Sequence, residues 1–238
     1  MKIALIGYGK MGKAIEKMGL EKGHEFPLII DVNNAGDLNP DNVKGIDVAI
    51  EFSAPLAAPD NILRCLELGL PVVSGTTGWN SRFEEVNLSC KSQNGAFFYA
   101  SNFSIGVNIL FAMNRKLAGI MNKFPQYRVS MEEVHHIHKL DAPSGTAITL
   151  LEGIIEDHGS SEKWSLDESK DPAEIHISAL REGEVKGKHT VSYDSPLDSI
   201  SLSHDAKSRI AFVEGVLLAA TFISDKKGVF GMNDMLDL

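Results

Sequence analysis

Over the first hundred positions the apolar residues fall into short runs separated by stretches with helical spacing. The runs at 3–6, 26–30, 48–52, 71–74 and 96–100 are too short for helices and read as buried strands. Between them, 11–20, 61–68 and 83–92 repeat apolar residues three and four apart, the period of an amphipathic helix. Strands and helices in alternation predict βαβ units around a parallel sheet. After residue 102 the pattern changes to a long helix over 105–121, then strands at 127–135, 174–181, 188–193 and 199–204. A helix over 146–157 lies between the first two of these, and 160–172, rich in Ser, Asp, Glu and Lys, predicts an exposed loop. Ile210, Val213, Val216, Leu217 and Ala220 then space a last helix over 208–223. The expected fold class is α/β, with an α/β domain from 1–104 and 209–238 and an α+β domain from 105–208.

The first strand runs directly into Gly7-Tyr8-Gly9-Lys10-Met11-Gly12, and a helix follows. A G-x-G-x-x-G run carries weight only in that strand–turn–helix context. There Gly7 permits the tight turn, Gly9 lets backbone approach a pyrophosphate, and Gly12 lets the helix sit close to the strand. The helix N-terminus offers free N–H groups to the anion. Asp31, at the end of the second strand, stands where an acidic side chain accepts hydrogen bonds from an adenosine ribose. Val32-Asn33-Asn34 brings no arginine for a 2′-phosphate, so NADH is the preferred cofactor. Lys10 and Lys13 could reach such a phosphate and admit NADPH; each reads equally well as a solvated surface charge. The first domain is therefore expected to be a Rossmann-like dinucleotide-binding domain.

Charge and composition narrow the partners. A net charge of -9 disfavours nucleic acid as a general partner, and an anionic ligand must be met by a local group of cations. Cys65 and Cys90 lie in unrelated segments, which excludes a disulfide framework and points to the reduced cytoplasm. Neither the start of the chain nor any later apolar run has the length of a signal or membrane segment, so no membrane partner is expected.

The segment with most chemistry is 133–146, Glu-Val-His-His-Ile-His-Lys-Leu-Asp-Ala-Pro-Ser-Gly-Thr. A histidine can donate a proton near neutral pH, a lysine can hold a carboxylate, and Ser144-Gly145-Thr146 at a helix start can present N–H groups to an anion. That set suits a small acidic substrate that accepts hydride and proton. Alone, Pro143–Thr146 would read as an ordinary turn and N-cap, and the histidines as a surface cluster. A metal site from His135, His136 and His138 is disfavoured: Lys139 would repel the ion and the spacing is not that of zinc ligands, so no metal is expected.

This run resembles the signature of the 4-hydroxy-tetrahydrodipicolinate reductases, close to E-x-H-H-x-x-K-x-D-x-P-S-G-T, with every fixed position present. Further landmarks occur in order: the Gly7–Gly12 loop, Gly75-Thr76-Thr77-Gly78 after the fourth strand and Ser101-Asn102-Phe103-Ser104 after the fifth. The resemblance implies an NAD(P)H-dependent oxidoreductase of lysine and diaminopimelate biosynthesis, assembled as a homotetramer, with 105–208 binding substrate and forming subunit contacts. It implies His135 as general acid and Lys139 as the cation at the substrate's carboxylate. His136, Gly145 and Thr146 would bind substrate, while Gly75, Thr77, Asn102 and Phe103 would line the nicotinamide end of the cofactor cleft. Arg209 matches an arginine before the last helix and reads equally as a surface residue. The chain departs from the family in a short segment between Asp31 and Asp47 and in Ser101, where alanine is usual. Two other readings stay open: a different nicotinamide-dependent dehydrogenase of amino acids or semialdehydes, and a non-catalytic dinucleotide sensor.

Overall fold

The computed structural model describes every residue except 158, 160, 168–170, 172 and 209. It divides into two compact units, one of Met1–Ile105 with Ile210–Leu238, the other of Gly106–Arg209.

In the first unit the strands are β1 (Lys2–Ile6), β2 (Glu25–Ile30), β3 (Val48–Glu51), β4 (Val72–Ser74) and β5 (Ala96–Tyr99). Helices α1 (Lys10–Glu21), α2 (Ala58–Glu67) and α3 (Phe83–Ser92) alternate with them. Every pairing is parallel. Because successive side chains on a strand face opposite ways, Ile3 and Leu5 enter one core with Ile15 of α1, whereas Ala4 and Ile6 enter another with Ile62 of α2 and Val86 of α3. Both faces of the sheet are thus buried, which is why its strands read as continuous apolar runs. The chain returns from the other unit as α6 (Ile210–Ile223), whose Val213, Val216 and Ala220 complete the first core. Two elements then follow that periodicity had not marked, strand β11 (Gly228–Phe230) and helix α7 (Met232–Leu236). Three residues are too few for a period, and β11 exists because β5 offers it an edge. The strand order is β11-β5-β4-β3-β1-β2. The chain winds outward from β1 to β2 and then returns to β3 on the other side of β1. The C-terminal ends of β1 and β3 therefore flank a topological switch point, where open α/β sheets bind ligands.

The second unit opens with most of α4 (Ile105–Met121) and contains α5 (Gly145–Asp157), β6 (Arg128–His135), β7 (Lys163–Ser165), β8 (Glu174–Arg181), β9 (Lys188–Asp194) and β10 (Ser199–Asp205). The sheet order is β10-β9-β6-β8-β7, antiparallel on the β9–β10 side and parallel on the β7–β8 side. Strand β7 corrects the expectation of a loop over 160–172. Polar neighbours hid it, yet Trp164 pairs with Ile175 and packs half-buried against the core. Leu110 and Ala118 of α4 and Leu150, Leu151 and Ile154 of α5 cover one face, meeting Met131, Ile175, Ile177, Val191 and Tyr193. Among the described residues no helix is long and apolar enough to cross a membrane.

Candidate active site

The first unit builds a cavity of about 480 Å³ from the segments that follow β1, β3 and β4. Gly9, Lys10 and Met11 come from the first turn, Phe52, Ser53 and Pro55 from the second, and Gly75, Thr76 and Thr77 from the third. Gly7 has φ +94°, and a Cβ there would stand 2.1 Å from the Phe52 carbonyl oxygen; one on Gly12 would stand 2.2 Å from the Gly7 oxygen. Both positions exclude any side chain, and helix α1 therefore starts hard against the end of β1. Beside Gly9 there is open space, and no acidic side chain occupies the first turn of α1. The helix start is free to meet a phosphate.

The other expected cofactor residues, Tyr8, Asp31, Asn102 and Phe103, are not among those that line this cavity. Tyr8 turns onto α1, its hydroxyl donating to Glu16 and its ring 5.5 Å from the Lys13 ammonium. Asp31 is exposed at the end of β2; its carboxylate accepts the Val32 N–H at 2.9 Å, and its own N–H donates to Asn34 Oδ1 at 2.7 Å. Gly7 N–H donates to Ile30 O at 2.8 Å, so the two turns are adjacent. Asn102 Oδ1 accepts the Ser104 N–H at 2.9 Å. Phe103 departs from expectation: its side chain is 3% exposed and packs against Phe52 and Phe98, so it supports the loop from the core instead of lining the cavity.

Sequence reasoning missed Glu51. This carboxylate is fully buried, and it accepts from Ser53 N–H at 2.8 Å, Ser53 Oγ at 2.5 Å, Ser74 Oγ at 2.6 Å and Thr76 Oγ1 at 2.9 Å. It thereby pins the segments after β3 and β4 to each other. The available signal was an acidic residue ending a strand otherwise made of Val, Ala and Ile.

In the second unit the alternation along β6 puts Met131, Glu133 and His135 on the helix-covered face, so an apolar row becomes titratable at the strand's end. Across the sheet, Glu133 pairs with His189 on β9, His189 with His204 on β10, and His135 with Arg181 on β8. The Glu133 carboxylate accepts the Ser144 N–H at 3.0 Å and faces Arg181 Nη2 at 3.3 Å, His135 Nδ1 at 3.6 Å and His189 Nε2 at 3.7 Å. The His135 and His189 rings meet edge to face at 5.1 Å. Burial works against the Glu133 charge, but the nearby His189 ring, the hydrogen bond from Ser144 and the field of His135 outweigh it and hold the carboxyl at about 2. His135 is pushed down to about 4, first by burial and then, against the pull of Glu133, by the charges of His189, Lys139 and Arg181. It is neutral in the free protein near pH 7.

Ser144 caps α5: its Oγ accepts the Ala147 N–H at 3.2 Å and lies 3.1 Å from His189 Nε2. Gly145 and Thr146 are then the first helical residues, and N–H groups in that first turn have no partner within the helix. Lys139 Nζ sits on both carboxylate oxygens of Asp141 at 2.9 and 2.8 Å. His136 parts from His135: with His138, Glu184, Lys186, Lys207 and Ser208 it lines a cavity of about 520 Å³. Arg209 lies outside the described residues. Arg181 and His189, distant in sequence, had no local motif to announce them.

A metal-capable group does form, but from Glu133, His135 and His189, whose donor atoms lie within 4.8 Å of one another, and not from the three clustered histidines. Arg181 already faces that carboxylate, and its charge, with that of Lys139, opposes a bound cation.

Comparison with known proteins agrees along the whole chain. Residues 1–103 match the family model for the dihydrodipicolinate reductase N-terminus, and 106–236 match that for the C-terminus. A 4-hydroxy-tetrahydrodipicolinate reductase of Christiangramia forsetii is 49% identical over 238 residues, covering 99% of this chain and 98% of that protein. Another so named, from Chromobacterium violaceum, is 36% identical over 202 residues, covering 82% of this chain and 74% of that one. Among solved structures, a dipicolinate-bound dihydrodipicolinate reductase from Paenisporosarcina sp. TG-14 superposes with a TM-score of 0.77 at 23% identity, covering 98% of each chain, which speaks for a common fold. With both family models matched and one relative at 49% identity aligned almost end to end, the chain belongs to the dihydrodipicolinate reductase family of pyridine-nucleotide-dependent reductases.

Proposed function

We propose that the chain reduces 4-hydroxy-tetrahydrodipicolinate with a pyridine nucleotide in lysine and diaminopimelate biosynthesis, with His135 as the general acid and Lys139 as the cation at a substrate carboxylate. The observation that carries the reading is a buried histidine beside a carboxylate, close to a lysine and to a capped helix start. In this reading the unit of Met1–Ile105 with Ile210–Leu238 binds the cofactor and the unit of Gly106–Arg209 binds the substrate. When bound, the nucleotide supplies the hydride. Gly7, Gly9 and Gly12 admit its pyrophosphate, Gly75, Thr77 and Asn102 border the nicotinamide, and Phe103 acts through its backbone. Asp31 accepts from the ribose hydroxyls, which favours NADH, while Lys10 beside the cavity allows NADPH a weaker hold.

For the substrate, the N–H groups of Gly145 and Thr146 hold a carboxylate, Lys139 stabilises carboxylate charge and His136 adds a further contact, Asp141 keeping the ammonium in place until then. A dicarboxylate brings negative charge to His135. That charge raises its pKa from about 4 toward neutrality, so the acid is loaded as the substrate arrives. The enzyme is a cytoplasmic homo-oligomer, tetrameric by analogy with the family. Consistent with subunit contacts, one face of the five-stranded sheet carries polar cross-strand pairs, Thr190 with Ser203 and Ser192 with Ser201.

The test generates substrate in place from pyruvate and aspartate semialdehyde with the preceding synthase and follows oxidation of NADH and NADPH. Turnover by the wild type, with a loss of roughly 10²–10⁴-fold in His135→Ala at retained NADH affinity, is the expected result. Tight NADH binding without turnover would overturn the reading and leave a sensor or another dehydrogenase.

A further inference from the structure

We propose that Glu133 is the positioning residue of this site: one buried carboxylate orients His135 and, through Arg181 and Ser144, holds the middle and the far end of the loop that carries Lys139. The proposal rests on the roles given above to His135 and Lys139. Glu133 has no exposed surface, yet four groups from different segments converge on it: Ser144 N–H at the start of α5, Arg181 from β8, His189 from β9 and His135 from its own strand. Arg181 continues the network into the loop, donating to Lys139 O at 3.2 Å and Asp141 O at 2.5 Å. His135, the loop that carries Lys139 and the start of α5 are thus tied to one anion that has no exposed surface of its own.

Orientation follows from the same geometry. His135 Nδ1 faces Glu133 Oε2 and is buried with no hydrogen-bond partner among the described residues, so Nε2 is the nitrogen left to deliver a proton. The charged and titratable groups facing this ring are Glu133 on β6, His189 on β9, Arg181 on β8 and Lys139 in the loop, with His204 on β10 behind His189. Glu133 is the single anion among them. Its charge favours the imidazolium, and removing it leaves only groups that oppose protonation.

The experiment compares Glu133→Gln and Glu133→Asp with the wild type in two measurements. One is the pH profile of kcat, which falls on the alkaline side as the acid of the substrate complex loses its proton; the other is proton uptake on binding dipicolinate, read by calorimetry in two buffers. In Glu133→Gln the alkaline limb moves down by about one pH unit and proton uptake falls, with NADH affinity within about two-fold; Glu133→Asp restores both. A uniform loss at every pH with an unmoved limb overturns the proposal and leaves Glu133 a packing role. If His135→Ala keeps the wild-type limb, the assignment of the acid fails instead. Should Glu133→Gln not fold, Arg181→Lys decides: it keeps a cation by Glu133 but loses the planar fork to Lys139 O and Asp141 O. The KM for substrate then rises about ten-fold while the limb stays in place, and an unchanged KM overturns the loop-holding role.

Discussion

His135 shows how a side chain's chemistry depends on neighbours that its own sequence position does not reveal. Within the run His135-His136-Ile137-His138 the histidines look alike, but alternation along β6 sends the first inward beside Glu133, whereas the other two border an open cavity. Burial then lowers His135 to about 4, so the proposed acid is unprotonated until a dicarboxylate arrives. The sign of the linkage is definite: a ligand that raises the pKa binds together with a proton, and its affinity grows as pH falls from 8 toward 5. Dipicolinate binding followed by calorimetry at several pH values should therefore tighten by up to about ten-fold per unit across that interval. A pH-independent affinity, with no proton uptake, would mean that the ligand's charge does not reach this ring. The identities of His135, Lys139, Gly145 and Thr146 as candidates could be read from one contiguous segment. Arg181 and His189 could not, because only strand pairing brings them to Glu133.

At the scale of elements, periodicity recovered what is long or buried on both faces: the strands and helices of the first hundred residues, α4, α5, α6 and the four longer strands of the second unit. It failed for β7 and β11, three residues each, whose existence depends on a neighbouring strand edge and not on local pattern. The β1–α1 junction is the opposite case, where local sequence dictates the geometry. A Cβ at Gly12 would stand 2.2 Å from Gly7 O, a backbone atom that cannot rotate away. Gly12→Ala should push α1 off β1, at a cost of about 1–3 kcal/mol, and displace the N–H groups offered to the pyrophosphate. The chain has two tryptophans, and Trp79 lies in the core of the first unit. In a Trp164→Phe background its emission should show a lowered urea midpoint for Gly12→Ala, with NADH affinity down more than about ten-fold. Unaltered NADH binding would show that the loop tolerates the methyl group.

On the scale of the whole molecule, the two groups held well below their ordinary values, His135 and Glu133, lie in one unit. His135 has a folded value near 4 against 6.5, and Glu133 one near 2 against 4.5. Both are depressed, so both contribute stability that is complete above the unfolded value and lost as pH falls toward the folded one. The His135 contribution disappears between about pH 6.5 and 4, which amounts to ~2 kcal/mol by pH 5. Hydrogen exchange, corrected for intrinsic rates, should show lower protection in β6 and β9 at pH 5 than at pH 7, with β1 and β3 unchanged; equal protection in β6 at both would rule out this linkage. The sequence by itself determined the longer elements and pointed to the two candidate sites, since hydrophobic period, the glycine loop and the 133–146 run are local and leave their mark within a dozen residues. Tertiary structure alone decided which groups share a charge environment: Glu51 joining Ser53, Ser74 and Thr76, Phe103 turned into the core, and Glu133 gathering Arg181, His189 and Ser144. The physical reason is that burial and Coulomb interaction depend on distance in space, and strand pairing brings together residues that lie dozens of positions apart in the chain.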